Sequence, residues 1–299
     1  MKVFYSDAFV AAGEEFDTTR KAAWIGESLG ARAIPGTELV EPAPLVAAQL
    51  EAVHAPDYVR AVRTGEPRSL AESNGFRWDE GLWTAVCASN GGVVEAALHA
   101  FKTGSHAGTL SSGLHHARHA SGGGFCTFNG IALAVRVVVG LQCEHPRRIL
   151  ILDLDAHCGG GTYSLVRDIP GVVQVDISVC RTDFYQPDAG SDSTLDIVSR
   201  AGDYVPTLAA RLDALADVPF DLLIYNAGMD PHEDSAIGGL AGITTAVIAE
   251  RERLVFEWAG RNRVGVAFTL AGGYTGGRLD QAGLVGLHRL TIGAAVQGG

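Results

Sequence analysis

Short apolar runs without polar alternation set the layout of this chain. They span Lys2 to Tyr5, Gly108 to Ser112, Arg148 to Asp155, Val172 to Ile177, Asp221 to Asn226 and Arg263 to Ala271, and they are rich in Val, Ile and Leu. A strand wetted on one face alternates apolar and polar residues, whereas a strand covered on both faces need not. The runs therefore predict strands of a parallel sheet. Helix-like stretches lie between them, at Trp83 to Phe101, Asn129 to Leu141, Tyr204 to Leu215, Thr244 to Trp258 and Leu279 to Gly298. Alternating strand and helix predicts an α/β fold, an open, doubly wound, mostly parallel sheet flanked by helices. With 299 residues, 47% of them hydrophobic, the chain can bury a large core, and it is read as one domain over 1–299. There is no internal repeat or low-complexity tract. Segment 178–203 is long, polar and turn-rich, and such a loop in a compact domain is more often functional than idle.

Several function classes fall away early. The net charge is −11 and no basic patch tracks the sequence, so no nucleic acid partner is expected. No run of eighteen apolar residues offers a membrane span. The N-terminal "MKVFYSDAFV" is too short and polar for a signal peptide. The five cysteines (Cys87, Cys126, Cys143, Cys158 and Cys180) form no CxxC pair and read as reduced thiols of a cytoplasmic protein. The glycine-rich stretches "SGGGFC" (121–126) and "GGG" (159–161) carry neither the GK[ST] of a P-loop nor a GxGxxG opening a helix, so no nucleotide site is expected. Glycines such as Gly124 instead let backbone approach a ligand closely.

Polar clusters recur where the strands should end. "SSGLHHARH", "DLDAHCGGG", "NAGMDPHED" and "AGGYTGG" each follow one of the apolar runs. Ligands of an open parallel sheet bind outside the carboxyl ends of its strands, so the clusters should converge. In "ILDLDAHCGGGT", Asp153, Asp155 and His157 fall on alternate positions and share a face if extended. Burying carboxylates there is costly unless they are paired or bind a cation. Asp155 and His157 with Asp230, after a different strand, give three ligands and an open position, the arrangement of a catalytic zinc. If the acids merely capped helices, no histidine would be called for. His115 and His116, beside such a site, could be the general acid and base of a hydrolysis. His106 and His119 have no such setting and read as packing or surface residues.

The four stretches "LHHARHASGGGFCTFNGIALA", "LDLDAHCGGGT", "NAGMDPHEDSAIGGL" and "LAGGYTGG", in this order, resemble the histone deacetylase and acetylpolyamine amidohydrolase family of the arginase/deacetylase superfamily. "VHAPDYVRAV" (53–62) resembles it more weakly. The resemblance implies a metal-dependent amidohydrolase that removes acyl groups from amines, either lysine side chains or small molecules. Zinc is the implied ion, ferrous iron suits the same donors, and the oligomeric state is left open. Asp155, His157 and Asp230 match the metal ligands, and His115 and His116 the catalytic histidine pair. Tyr274 matches the tyrosine that polarises the acyl carbonyl. Phe125 matches one wall of the acyl-lysine tunnel, with Phe184 or Tyr185 as candidates for the opposite wall. Asp153 matches the residue that orients His115 and helps bind a structural potassium ion.

This chain also departs from the family pattern. Cys158 stands where a second histidine is usual, and reads as a small buried residue. Gly160 stands where an Asp or Asn orients the second histidine, so His116 is expected to lack its acidic partner. The N-terminal segment reads "EEFDTTRKAAW" in place of a Pro- and Glu-rich pattern. Two other readings compete with the deacylase. A catalytically degenerate binding protein is motivated by Cys158 and Gly160. An arginase-like dimanganese hydrolase would want an Asp two residues after His157, where Gly159 stands.

Overall fold

The computed structural model describes residues 1–298 except 14–15 and 143–145, so Cys143 lies outside the described residues. Eight strands are described: β1 (Lys2–Phe4), β2 (Glu38–Val40), β3 (Ala107–Thr109), β4 (Ile149–Asp153), β5 (Val172–Ser178), β6 (Thr194–Ile197), β7 (Leu222–Gly228) and β8 (Val266–Ala271). They form one sheet in the order β2-β1-β3-β8-β7-β4-β5-β6, and every pairing is parallel. Residues of β4, β7 and β8 are buried throughout, which is why their sequences show no alternation.

Side chains still alternate between two cores, because the strand period is two. Leu150, Leu152 and Leu154 enter a core shared with Tyr204, Leu208, Val255, Trp258, Leu284 and Ile292 from the helices Ala201–Ala214, Thr245–Asn262 and Gln281–Gln297. Ile149 and Ile151 enter the opposite core, packed against Val93, Val94, Ile131 and Val135 of the helices Glu80–Thr103 and Gly130–Val139. The sheet is thus covered on both faces, as the apolar runs require.

Boundaries follow local chemistry that the apolar pattern does not carry. The helix expected from Trp83 begins at Glu80, because the Asp79 carboxylate accepts the Gly81 and Leu82 N–H groups, and it runs to Thr103, where Gly104 ends it in the left-handed region. The strand expected from Arg263 begins at Val266, because Arg263 instead caps the preceding helix at φ 55°. Segment 178–203 is not wholly loop. It contains the edge strand β6, whose residues are only half-buried and lack an apolar run.

One consequence of the strand order governs the site. The strands β3, β8, β7 and β4 are immediate neighbours although they are scattered along the sequence. The segments that follow them therefore emerge side by side at one sheet edge, as expected for the four polar clusters.

Candidate active site

A buried polar row crosses the sheet just below that edge. Thr269 of β8, Asn226 of β7, Asp153 of β4 and Asp176 of β5 are register partners in sequence. The Thr269 hydroxyl donates to Asn226 Oδ1 at 2.8 Å, and Asn226 Nδ2 donates to Asp153 Oδ1 at 2.8 Å. The same oxygen accepts the Asp155 N–H at 3.2 Å. The other Asp153 oxygen lies 2.7 Å from His115 Nδ1. Asp176 accepts the Gly159 N–H and the Ser178 hydroxyl, and its carboxyl is pushed well up by burial and by the neighbouring Asp153. Asp153 is thus fixed before the histidine reaches it.

The His115–His116 turn is held from behind. The Asn129 side chain donates to the His115 and Ala117 carbonyls, and the Thr162 N–H donates to the His115 carbonyl at 2.8 Å. The two rings face one another with Nε2 atoms 3.1 Å apart. Burial alone would lower the His115 pKa, but Asp153 and Asp155 outweigh it and raise it to about 10. The His116 pKa is lowered, first by burial and then by the charge on His115, with Asp183 opposing. The shared contact is therefore His115 Nε2–H donating to an unprotonated His116 Nε2.

The expectation that His116 lacks an acid is corrected by the structure. Its Nδ1 lies 3.0 Å from Asp183 Oδ2, a carboxylate supplied by the 178–203 loop. Both histidines of the pair thus have a carboxylate, which removes Gly160 as a motive for the degenerate reading. Cys158 is buried, with Sγ against the Cys180 carbonyl.

Asp155, His157 and Asp230 come together as expected, with ligand atoms within 4.8 Å of one another. His157 Nδ1 lies 3.0 Å from Asp155 Oδ1 and 3.0 Å from Asp230 Oδ2. Asp230 Oδ1 accepts the Ala156 N–H at 3.0 Å, while Oδ2 is buried and makes only the ion-pair contact with His157. Burial and Asp155 push the Asp230 carboxyl up to about 6. Burial opposes the charged form of His157, but the two carboxylates hold its proton on far above the usual range. One carboxylate oxygen left with only that contact and two acids competing for one proton fit a small divalent cation, whose bonds to O and N are about 2.0–2.2 Å.

Tyr274 lines the same pocket as His115, His116 and Asp155. Burial and the nearby Asp230 and Asp155 charges raise its pKa well above the ordinary value, so its hydroxyl remains a donor. Its loop is tied to the N-terminal helix Asp17–Ala31, where Asp17 accepts the Thr275 N–H at 3.0 Å and hydroxyl at 2.8 Å. Phe125 stands at the rim at φ 65°, 6.4 Å from the Tyr274 ring. Beside it, a Cβ on Gly124 would lie 2.3 Å from His116 Cδ2, so this glycine is what permits the close approach. Phe184 is 43% exposed, with Arg181 over its ring. Tyr185 turns inward, stacks on Tyr163 at 4.3 Å and accepts from Gln174, whereas Phe184 is left exposed. His106 is buried and accepts the Val266 N–H, and His119 is exposed, in line with their expected packing and surface roles.

Other site residues carry no signal in the sequence pattern. Lys21 is buried and donates to the Gly272 carbonyl at 2.6 Å. Burial lowers its pKa to about 8, with Asp230, Asp155 and Asp17 holding it up. Phe16 packs 4.5 Å from Phe125 and 5.5 Å from Tyr274. Both come from the segment marked above as departing from the family pattern; of that segment, Glu14 and Glu15 lie outside the described residues.

A family model described as the histone deacetylase domain matches residues 16–285. An uncharacterized protein from a Picosynechococcus strain is 36% identical over 231 residues, covering 76% of this chain and 75% of its own. Histone deacetylase 2 of Arabidopsis thaliana is 27% identical, covering 79% of this chain and 63% of its own. The acetoin utilization protein AcuC of Bacillus subtilis is 30% identical, but the match covers only 47% of this chain and 38% of AcuC. Among solved structures, the HDA15 HD domain and an acetylpolyamine aminohydrolase from Burkholderia pseudomallei each superpose with a TM-score of 0.78, at 18% and 20% identity. They cover 99% and 98% of this chain and 89% and 98% of their own, which shows a common fold. The class defined by fold and family model is the hydrolytic deacetylase. This chain belongs to the histone deacetylase family.

Proposed function

We propose that the chain, acting as one catalytic domain over residues 1–299, is a zinc-dependent amidohydrolase. It removes an acyl group, acetyl in the first instance, from an amine such as acyl-lysine, an acetylpolyamine or a small-molecule acetylamine. One observation carries this reading: Asp155, a member of the Asp155–His157–Asp230 cluster, lines the same pocket as the two carboxylate-bound histidines and Tyr274.

Asp155, His157 and Asp230 would hold the ion, and ferrous iron suits the same donors. When bound, the ion supplies a Lewis acid that polarises the acyl carbonyl and acidifies water. His116 Nε2 is unprotonated and, once substrate draws the His115 Nε2–H away from it, takes the proton as the water oxygen bonds to the acyl carbon. The Tyr274 hydroxyl donates to the developing oxyanion. His115, doubly protonated between Asp153 and the site, gives the Nε2 proton to the departing nitrogen as the C–N bond breaks. Asp153 and Asp155 then stabilise its readiness to take up the next proton. A structural potassium ion beside Asp153 belongs to the same reading. The free cysteines Cys87, Cys126, Cys158 and Cys180 suit a reducing, cytoplasmic setting. Among the described residues, no helix is long and apolar enough to cross a membrane.

The test is a panel of acetyl-lysine peptides, acetylpolyamines and longer acyl-lysines offered to zinc-loaded protein, with and without a hydroxamate. Hydroxamate-sensitive release of free amine from any member is expected and ranks the substrates. Zinc-loaded protein that binds hydroxamate yet turns over nothing would overturn the reading.

A further inference from the structure

We infer that Asp183 is the positioning residue for His116, and that the vacancy at Gly160 is what admits it. This rests on the deacylase reading for its catalytic meaning, but its geometry stands apart from the metal cluster. Asp183 Oδ2 accepts from His116 Nδ1 and from the Gly161 N–H, each at 3.0 Å. The other oxygen is bound by Arg118, whose guanidinium also donates to the Gly160 carbonyl. The loop is pinned next door, where the Cys158 N–H donates to the Thr182 carbonyl at 3.0 Å. Asp183 itself lies at φ 57°, a left-handed conformation that Asp tolerates better than most residues.

The glycine and the acid are complementary. A Cβ on Gly160 would stand 2.3 Å from the Asp183 carbonyl oxygen and 2.8 Å from Asp183 Oδ1. Any side chain at 160 would therefore push the loop away and claim the space that the Asp183 carboxylate occupies. A carboxylate carried on residue 160 would reach toward the same His116 nitrogen. The two positions are alternative seats for one acid, and this chain uses the loop seat. By fixing Nδ1–H toward Asp183, the acid keeps Nε2 unprotonated.

The experiment compares wild type, Asp183→Asn, Asp183→Gly and the double variant Gly160→Asp/Asp183→Gly, all as zinc-loaded full chains. Glycine is chosen at 183 because it adopts the left-handed backbone freely. Asp183→Asn should lower kcat about 10- to 100-fold, the usual effect of removing an orienting partner, with KM changed less than about 3-fold. Zinc content and hydroxamate affinity should stay at wild-type levels. The double variant should recover at least about tenfold over Asp183→Gly, a rescue that a merely structural role for Asp183 does not predict. A direct readout is the His116 imidazole in nitrogen-15 NMR: Nδ1–H tautomer in wild type, mixed in Asp183→Gly, restored in the double variant. Full kcat in Asp183→Asn, or a folded, zinc-binding double variant no better than Asp183→Gly, overturns the inference. A wild type with the Nδ1–H tautomer but no turnover would instead overturn the deacylase reading and leave the positioning contact standing.

Discussion

His115 and His116 are adjacent in the chain and each presents Nδ1 to a carboxylate, but the two carboxylates come from different kinds of structure. Asp153 is fully buried on a central strand, already committed to Asn226 and to the Asp155 backbone. Asp183 is partly exposed on a surface loop, committed to Arg118 and the Gly161 backbone. The buried pair is joined by Asp155, 3.6 Å from His115 Nε2, and so collects the proton. The loop pair lies beside the resulting charge and loses it. Identical residues with the same partner type thus shift in opposite directions, because one is surrounded by more negative charge than the other.

Substitutions can break this comparison or sharpen it. The largest effect should come from His116→Ala, which removes the proposed base and should cost about 10²–10⁴ in kcat. Near-normal turnover with zinc bound would transfer the role elsewhere. Tyr274→Phe should cost about 10²–10³, as loss of one oxyanion donor does, with substrate binding nearly kept; steady-state kinetics with an acetyl-lysine peptide checks this. Asp230→Asn should lower zinc occupancy on dialysis, since it weakens the proposed ligand that follows β7; full occupancy with unchanged affinity removes Asp230 from the ligand set. The strand and loop acids should then separate on stability. Asp153→Asn disturbs a buried hydrogen-bonded row and should cost about 1–3 kcal/mol in denaturant unfolding, whereas Asp183→Asn should cost well under half of that. Equal losses would erase the distinction between them.

His54 is a control with no carboxylate at all. Its Nδ1 lies 2.8 Å from the Arg118 carbonyl, and its Nε2 accepts the Asn129 N–H at 2.9 Å. Burial lowers its pKa to about 4. Below about pH 6.5 the unfolded chain takes up a proton that the folded one refuses. Stability present above pH 6.5 is therefore lost as pH falls toward 4, on the order of 2–3 kcal/mol for this group. His54→Gln should flatten that part of the wild-type stability–pH curve. The same slope in both proteins would mean that other groups carry it.

The sheet and the metal cluster were legible for the same reason. Strands covered on both faces leave apolar runs, and a buried strand end that breaks into acids and a histidine needs a compensating charge. Tyr274 and Phe125 were legible only through family resemblance, since neither stands out by periodicity. Asp183 was not legible. A left-handed loop residue has no sequence period, and its partner glycine read as a loss when it is a space. Lys21 was hidden likewise, one cation among the charges of an amphipathic helix until the fold brings Gly272 over it. The edge strands β2 and β6 escaped because half-exposed strands carry no apolar run.

The buried row from Thr269 through Asn226 and Asp153 to Asp176 has a consequence for how the protein folds. It links four strands whose sequence positions span more than a third of the chain, and His115 can be oriented only when all four are in register. A one-residue slip would turn Asp153 to the opposite face. Partly zipped intermediates would hold the helices and much of the core yet leave the site unassembled. Recovery of activity during refolding should therefore trail the return of helical circular dichroism and coincide with protection of the β4, β7 and β8 amides from hydrogen exchange.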